Sequence, residues 1–274
     1  MSMTAAPFES PLAIAGLPKS SMLPFLAEDA TGPRPFTIRA ASSNGHRSSA
    51  NILIKRRYAW RGYENASLPS DESASRLTLI ATDHDETLGT ITVGLDSPEG
   101  LFVGEVFGDH VNRLRAEGRK LCEFTKLAMD PILGSKRMLA SLFHAAYLIA
   151  HRVRGYDTLL IEVNPRHVAY YRRMLGAVIL EKERNNPRVD APAVLLRLDL
   201  SYAREQIALL GGRHVEPERS ERSLYPYFFA PHEEAGLLAR LLKSQWARPA
   251  GVLSAVEPVV KPAAAPAAPR RMVA

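Results

Sequence analysis

Two spacings of hydrophobic residues alternate along the middle of the chain. Short apolar or alternating runs predict strands, and longer segments with apolar residues three and four apart predict helices. The predicted strands cover residues 36–39, 76–82, 88–95, 119–130, 158–163, 178–184 and 193–200. The predicted helices cover residues 107–117, 136–154, 201–210 and 235–245, with another helix after Asn164 and a basic amphipathic segment at residues 51–63. Strands and helices that follow one another in this order indicate a fold of the α/β class.

The chain divides into four parts by composition. Residues 1–34 are rich in Pro, Ser and Ala and lack periodicity, which predicts a flexible N-terminal arm. Residues 35–200 contain all the predicted strands and are expected to form the globular domain, followed by a helical extension at residues 201–246. Pro and Ala dominate residues 247–274, which predicts a disordered tail. The arm has no basic start and its apolar residues are interrupted by prolines, so we expect neither a signal peptide nor a membrane span.

Composition and charge narrow the choice of compartment and partner. A chain of 274 residues with 46% hydrophobic residues can bury one sizeable core. The single cysteine, Cys122, rules out an intrachain disulfide framework, and no Cys/His cluster has the spacing of a zinc site. We therefore expect a cytoplasmic protein without a metal. The net charge of +6 favours acidic partners, and basic clusters without interleaved aromatic residues favour an acidic carrier protein or an anionic cofactor over nucleic acid.

The predicted strand at residues 119–130 contains two charged side chains, Glu123 and Lys126. The pattern is that of a buried strand, and charges are costly to bury. Their presence therefore indicates either catalysis or a structural role, in which each charge forms an ion pair on its own side of the sheet. Strict alternation places Glu123 and Lys126 on opposite faces, and only a β-bulge would direct both toward one cleft. Cys122 is expected to be a small buried residue, because no nearby His could activate it as a nucleophile.

Several residues after this strand are candidates for binding. A helix start with free backbone N–H groups and positive charge suits a phosphate, although one glycine before a helix also occurs in ordinary loops. The residues concerned are Gly134, Ser135, Lys136 and Arg137. His167, at the start of another helix, is expected to make hydrogen bonds. Tyr171 is expected to pack in the core or line a cleft, with proton donation as the lesser alternative.

Four short segments resemble one known family. They are residues 57–63 (RYAWRGY), 118–123 (GRKLCE), 164–168 (NPRHV) with 171–173 (YRR), and 190–196 (DAPAVLL). Together with the order of the predicted elements, they resemble the long-chain N-acyl amino acid synthases of the FeeM type, within the GCN5-related N-acetyltransferase (GNAT) fold. Residues 123–126 also resemble the Glu-x-Ser-Arg motif of acyl-homoserine lactone synthases, with Thr125 for Ser and Lys126 for Arg. The resemblance implies an α/β (α+β) domain with a mixed central sheet flanked by helices.

The same resemblance implies a bacterial acyltransferase that moves a long-chain fatty acyl group from an acyl carrier protein to the α-amino group of an amino acid. Glu123 would be the general base, and Lys126 would orient it or bind the acceptor carboxylate. The residues expected to bind substrate are Thr125, Phe143, Tyr147, Asn164, His167 and Tyr171. Phe143 and Tyr147 fit either an acyl tunnel or ordinary core packing.

The donor implied is the acyl-phosphopantetheine of the carrier protein, with acyl-CoA as the alternative and no tightly bound cofactor. Only one glycine precedes the basic residues of the presumed cofactor loop, where GNAT enzymes usually have two around a basic residue, and this favours the carrier. The residues expected to bind the donor are Gly134, Ser135, Lys136 and Arg137. Two other functions remain open: an autoinducer synthase like the acyl-homoserine lactone synthases, and a non-catalytic regulator that binds acyl carrier or lipid.

Overall fold

The computed structural model describes residues 36–59, 63, 67–68, 75–84, 86–213 and 221–243. Within these residues, seven strands form one sheet in the order β1-β2-β3-β4-β5-β7-β6. The strands are β1 Thr37–Ala40, β2 Arg76–Asp83, β3 Glu86–Leu95, β4 Leu121–Met129, β5 Thr158–Val163, β6 Val178–Asn186 and β7 Ala191–Asp199. Only β4 and β5 pair in parallel, and all the other neighbours are antiparallel. The expected mixed sheet is therefore confirmed.

Six α-helices accompany the sheet in the described part of the chain. They are α1 Asn44–Ala59, α2 Gly104–Ala116, α3 Lys136–Tyr147, α4 Val168–Leu175, α5 Leu200–Leu210 and α6 Pro231–Lys243. The predicted helix at 136–154 is α3 followed by a π-helical turn at Leu148–Val153. α1 begins before the predicted amphipathic segment, where the Ser43 side chain accepts the His46 N–H at 3.2 Å. The predicted N-terminal arm and the whole predicted C-terminal tail lie outside the described residues, as do Trp60 and Arg61.

The two faces of the sheet bury separate groups of side chains. On one face, α1 packs over Ile80 and Ala128, and α2 packs over Leu121 and Leu160. On the other face, α3 is buried over almost its whole length against the central strands. A helix that is apolar on most sides must be covered on most sides. The extension at residues 221–243 provides part of that cover, with Leu224, Tyr225 and Phe228 in the same core.

The parallel pair β4 and β5 separates soon after it begins. Its register includes only Leu121 with Thr158, Cys122 with Leu159 and Glu123 with Leu160. β5 then continues beside β7, and β4 continues beside β3. The carboxyl ends of the two central strands therefore diverge, which opens a cleft in the sheet at the position where α/β proteins commonly bind ligands. None of the described helices is both long and apolar enough to cross a membrane.

Candidate active site

A β-bulge interrupts β4 at Lys126 and Leu127, three residues after Glu123. Thr92 pairs with Thr125 and Thr90 pairs with Ala128, so Ile91 of β3 faces two residues, Lys126 and Leu127. Lys126 has a φ of 52°, in the left-handed region. For a residue other than glycine this conformation costs about 1 to 3 kcal/mol, and such strain is typical of functional sites. The bulge changes the alternation of the strand, so that both Glu123 and Lys126 line the cleft.

The Glu123 carboxylate is buried and bonded to the start of α2. Its Oε1 accepts the Phe102 N–H at 2.9 Å, and its Oε2 accepts the Val103 N–H at 3.0 Å. Burial raises the pKa of Glu123, and these two donors offset only part of the shift. Each carboxylate oxygen has a second lone pair, so the group can still accept a proton or bind a water molecule.

The Lys126 ammonium group has no hydrogen bond or ion pair among the described residues, although the side chain is partly buried. Burial lowers the pKa of Lys126, and the nearby positive charge of Arg188 lowers it further. A cation at a cleft that makes no direct ion pair with a described residue is suited to bind an anion. The side chains of Glu123 and Lys126 make no direct contact, so the two residues do not form a structural ion pair with each other.

The cleft between the diverging strands has a volume of about 580 Å³. This is within the range of small-molecule sites, roughly 300 to 1,000 Å³. Its floor is formed by residues 123–127 of β4 and residues 160–163 of β5. Its walls are the start of α2, the end of α1 and the β6–β7 turn, with Tyr171 of α4. Of the predicted site residues, the structure brings together Glu123, Thr125, Lys126, Asn164, His167 and Tyr171 in this cleft.

Thr125, Asn164 and His167 differ in their contacts. The Thr125 hydroxyl is buried and has no hydrogen-bond partner among the described residues, so it can bond to a ligand in the cleft. Asn164 caps the short helical turn Pro165–His167 by accepting the Arg166 N–H at 3.3 Å. His167 Nε2 accepts a hydrogen bond from Arg166 Nε at 3.3 Å, as expected for a residue at a helix start.

A second carboxylate at the cleft, Glu162, was missed by the sequence analysis. Arg188 Nη2 donates to both of its oxygens, at 2.8 and 3.0 Å, and Asn186 Nδ2 also donates to it. Burial raises the pKa of Glu162, and Arg188 opposes that shift. The signal was present in the sequence, because Glu162 interrupts the apolar strand at 158–163 just as Glu123 interrupts its own strand. Arg188 and Asn186 come from the β6–β7 hairpin and carried no comparable signal.

The residues expected to hold the donor lie at the N-terminus of α3 and do not line the cleft of about 580 Å³. Asp130 Oδ1 accepts the N–H groups of Ile132 and Leu133, both at 2.9 Å, which fixes the preceding loop. Ser135 caps α3 by accepting the Met138 N–H at 3.1 Å. The Lys136 ammonium lies 4.2 Å from the Tyr227 ring centroid. The helix start is therefore ordered, with part of its positive charge packed against the extension.

Phe143 and Tyr147 line a separate apolar cavity of about 20 Å³. Phe124 belongs to the linings of both this cavity and the large cleft, so its ring separates them. The Phe124 and Phe143 ring centroids are 6.4 Å apart, and Phe143 lies at the same distance from Tyr171. Both predicted residues are thus one layer of side chains away from the cleft, on the core side of Phe124.

The extension at residues 221–243 is attached to α3 through His144. This buried ring stacks on Phe228 and Phe229, with centroid distances of 5.0 and 4.8 Å. Its Nδ1 accepts the Phe229 N–H at 2.9 Å, so the neutral ring carries its proton on Nε2, which is 3.4 Å from Glu234. Glu234 is also bonded to Arg152 at 2.6 Å. Burial lowers the pKa of His144, which favours the neutral ring.

The comparisons with known proteins agree with this geometry. The family model described as N-acyl amino acid synthase FeeM matches residues 49–199, more than half of the chain. No curated protein matches the chain. Among solved structures, FeeM, an N-acyl amino acid synthase from uncultured soil microbes, is 26% identical with a TM-score of 0.55. The match covers 62% of this chain and 93% of that one.

Two further solved structures are similar at lower identity. An acyl-CoA N-acyltransferase from Pseudomonas aeruginosa is 14% identical with a TM-score of 0.42, and the match covers 60% of this chain and 97% of that one. The acyl-homoserine lactone synthase LasI is 12% identical with a TM-score of 0.44, over 61% of this chain and 91% of that one. The family match, together with the seven-stranded order and the diverging central strands, confirms the GNAT-like fold. The chain is therefore an acyltransferase and belongs to the FeeM family of N-acyl amino acid synthases.

Proposed function

We propose that this protein transfers a long-chain fatty acyl group from an acyl carrier protein thioester to the α-amino group of an amino acid. One observation carries the proposal. The cleft between β4 and β5 joins an apolar floor to a buried carboxylate, Glu123, and to the Lys126 ammonium, which makes no ion pair with a described residue. The apolar floor suits a fatty acyl chain, and the carboxylate and the ammonium suit the two charges of an amino acid.

The reaction would be direct aminolysis of the thioester. The acceptor ammonium first loses a proton to Glu123, and the amine nitrogen then attacks the thioester carbon. A carbon–nitrogen bond forms, the carbon–sulfur bond breaks, and the leaving thiolate takes up a proton. Both oxygens of Glu123 already accept one backbone N–H, and the side chain is only 2% exposed. Proton transfer through one bound water therefore suits this carboxylate better than direct contact.

The apolar surface of the cleft supports a long acyl chain. Its apolar lining includes Phe124, Leu127, Leu160, Ile161 and Val163, from the two diverging strands. Burial of each methylene group contributes about 0.8 kcal/mol, so an apolar floor favours long chains over acetyl. The apolar cavity of about 20 Å³ beyond Phe124 is too small to hold such a chain by itself.

The surface at the end of α1 supports an acidic carrier as the donor. Lys55 and Arg56 are exposed there, and Tyr58 of the same helix lines the cleft. Ile52, one turn before Lys55 and Arg56 on the same helix, is 57% exposed. Exposed cations beside an apolar side chain favour an acidic protein, and their attraction is screened by salt. We expect replacement of Lys55 and Arg56 by Glu to raise KM for the acyl carrier protein and to leave KM for the amino acid unchanged.

The function can be tested by expressing the full chain in a bacterial host that supplies acyl carrier protein and amino acids. Mass spectrometry of lipid extracts should detect long-chain N-acyl amino acids. Glu123→Gln should reduce them by about 10² or more if Glu123 is the general base. Glu181→Gln is the matched control, because Glu181 is bonded to His110 and does not line the cleft.

Each other outcome of this experiment has a definite meaning. Acyl-homoserine lactones in the extract would instead identify the acceptor as S-adenosylmethionine. This outcome would agree with the resemblance of residues 123–126 to the Glu-x-Ser-Arg motif of acyl-homoserine lactone synthases. Soluble, folded protein with neither product would refute acyl transfer and favour an acyl-binding regulator. Undiminished product in Glu123→Gln would remove Glu123 from the mechanism.

A further inference from the structure

The proposed acceptor brings a carboxylate into the cleft as well as an ammonium. Transfer of that carboxylate from water is costly unless the protein supplies donors for it. Glu123 can serve the ammonium end, but its negative charge repels the carboxylate. The cleft must therefore hold a second, cationic position, and the question is which side chains form it.

Lys126 is one candidate, because of its position on the β4 bulge. The bulge places a cation beside the carboxylate of the same strand, in a backbone conformation that is costly for lysine. Its ammonium makes no ion pair or hydrogen bond among the described residues. A single ammonium, however, is a point charge and does not fix the orientation of a carboxylate.

Arg188 is the second candidate, on the opposite wall. It follows Pro187 in the β6–β7 turn and lines the same cleft as Lys126. Its Nη2 is held by both oxygens of Glu162, and its Nε lies 3.4 Å from Glu105. The guanidinium carbon lies 5.6 Å from the centroid of the Phe102 ring. These contacts fix the plane of the guanidinium, and Nη1 is left without a partner among the described residues.

We propose that Arg188 and Lys126 together bind the carboxylate of the acceptor amino acid, with Glu162 as the residue that positions Arg188. This inference rests on the proposed function. It accounts for two cations on facing walls of one cleft. Within the described part of the chain, Lys126 makes no ion pair, and Arg188 is held by Glu162 with Nη1 still available to donate. Arg188 then determines specificity, because an amine without a carboxylate leaves both cations without their anion.

The test compares amino acids with their C-terminal amides, which keep the amine and lose the negative charge. The full chain is given a palmitoyl thioester donor with a mixture of amino acids or with the matching amides. The unmodified protein should acylate the acids in preference to the amides. Arg188→Leu should reduce the ratio of kcat/KM for acid over amide about tenfold or more, mainly through KM for the acid. Glu162→Gln should reduce it less, and Arg188→Lys should restore part of it.

Arg184→Leu is a matched control from the same hairpin. Arg184 also pairs with a carboxylate, Asp109, and lies over a phenylalanine ring, Phe107, but it does not line the cleft. The acid-to-amide ratio should stay unchanged in this variant. Thermal unfolding of each variant identifies any that fail to fold, and Lys126→Met gives an independent change on the other wall.

A binding measurement separates this inference from the proposed function. Calorimetry compares N-palmitoylglycine with N-palmitoylglycinamide as ligands, and it requires no turnover. Tighter binding of the acid that is lost in Arg188→Leu supports the inference even if no acyl transfer is found. Equal binding of acid and amide, or a preference that Arg188→Leu and Lys126→Met both leave intact, overturns it. Failure of the unmodified protein to acylate either mixture counts against the proposed function alone.

Discussion

Gly94 and Glu123 face each other across the β3–β4 pair, and no side chain fits between them. The two residues are register partners, and a Cβ atom on Gly94 would lie 2.8 Å from Glu123 Cγ and 2.9 Å from its Oε1. Glu123 cannot move aside easily, because both of its oxygens are bonded to backbone N–H groups of residues 102 and 103. The glycine on one strand therefore makes room for the carboxylate on the next.

Gly94→Ala should consequently damage both stability and activity. We expect the free energy of unfolding to fall by about 1 to 3 kcal/mol from overpacking, and turnover to fall about tenfold as Glu123 is displaced. Denaturant unfolding and the rate of product formation measure the two effects. Gly108→Ala, in α2, has open space around the new Cβ and should gain up to about 1 kcal/mol of helix stability. Normal turnover in folded Gly94→Ala would show that the position of Glu123 does not limit the reaction.

The dependence of kcat on pH should report the raised pKa of Glu123. A general base works only when deprotonated, so turnover is lost as pH falls through its pKa. Burial raises that pKa above the ordinary value of 4.5, and the acid limb of kcat should lie correspondingly higher. The limb should be absent in Glu123→Gln. A limb that persists there and disappears in Glu162→Gln would assign the base to Glu162.

The same pKa shift has the opposite effect on stability. Because burial favours the protonated form of Glu123, its contribution to stability is complete below the ordinary pKa of 4.5 that applies in the unfolded chain. It is lost as pH rises through the raised folded pKa. The free energy of unfolding that is lost on Glu123→Gln substitution, relative to the unmodified protein, should therefore be smaller at pH 8 than at pH 4. If the difference in unfolding free energy between the unmodified protein and Glu123→Gln does not change with pH, the pKa of Glu123 is not raised by folding.

Phe124 should limit the length of the acyl chain. Phe124→Leu would open a path from the large cleft toward the cavity lined by Phe143 and Tyr147. We expect products with longer acyl groups, at a cost of about 1 to 3 kcal/mol in stability. Mass spectrometry of the product distribution measures the change. Phe107→Leu removes a fully buried ring from the other face of the sheet, and its products should keep their original lengths.

Gly134→Ala tests the role of the α3 N-terminus in binding the donor. The new Cβ would lie 2.5 Å from the Asp130 carbonyl oxygen, so the loop must move. If this helix start binds the donor, KM for the acyl thioester should rise several-fold while KM for the amino acid stays constant. Gly236→Ala, in α6, meets no neighbouring atom and serves as the control. An unchanged donor KM in a folded variant would exclude the loop from donor binding.

Most elements of the fold could be predicted because each has a local cause. The two hairpins, the Ser135 cap of α3 and the helix that ends at Gly176 all follow from spacing, turn residues or capping within a few positions. Glu123 was recognised for a similar reason, as a charge within an apolar strand. Local patterns of this kind are sufficient to predict the elements and one candidate site residue.

The bulge and the Glu162–Arg188 pair could not be predicted in the same way. The extra residue at Lys126 depends on pairing with β3, which begins 40 residues earlier in the chain, at Glu86. Arg188 reaches Glu162 because β7 lies between β5 and β6, so that the β6–β7 turn returns to the end of β5. Strand order is a property of the whole sheet, and the residues next to Glu162 and Arg188 in sequence do not indicate it.

The two walls of the cleft differ in how easily they can change. β4 pairs with β3 along most of its length and carries Glu123, the proposed base, whereas the opposite wall includes a short turn at residues 187–190 between β6 and β7. Turns tolerate substitution and insertion far better than paired strands. A change in this turn alters what the cleft accepts and leaves β4 intact. Related proteins can therefore diverge in their acceptors while they inherit the same reaction.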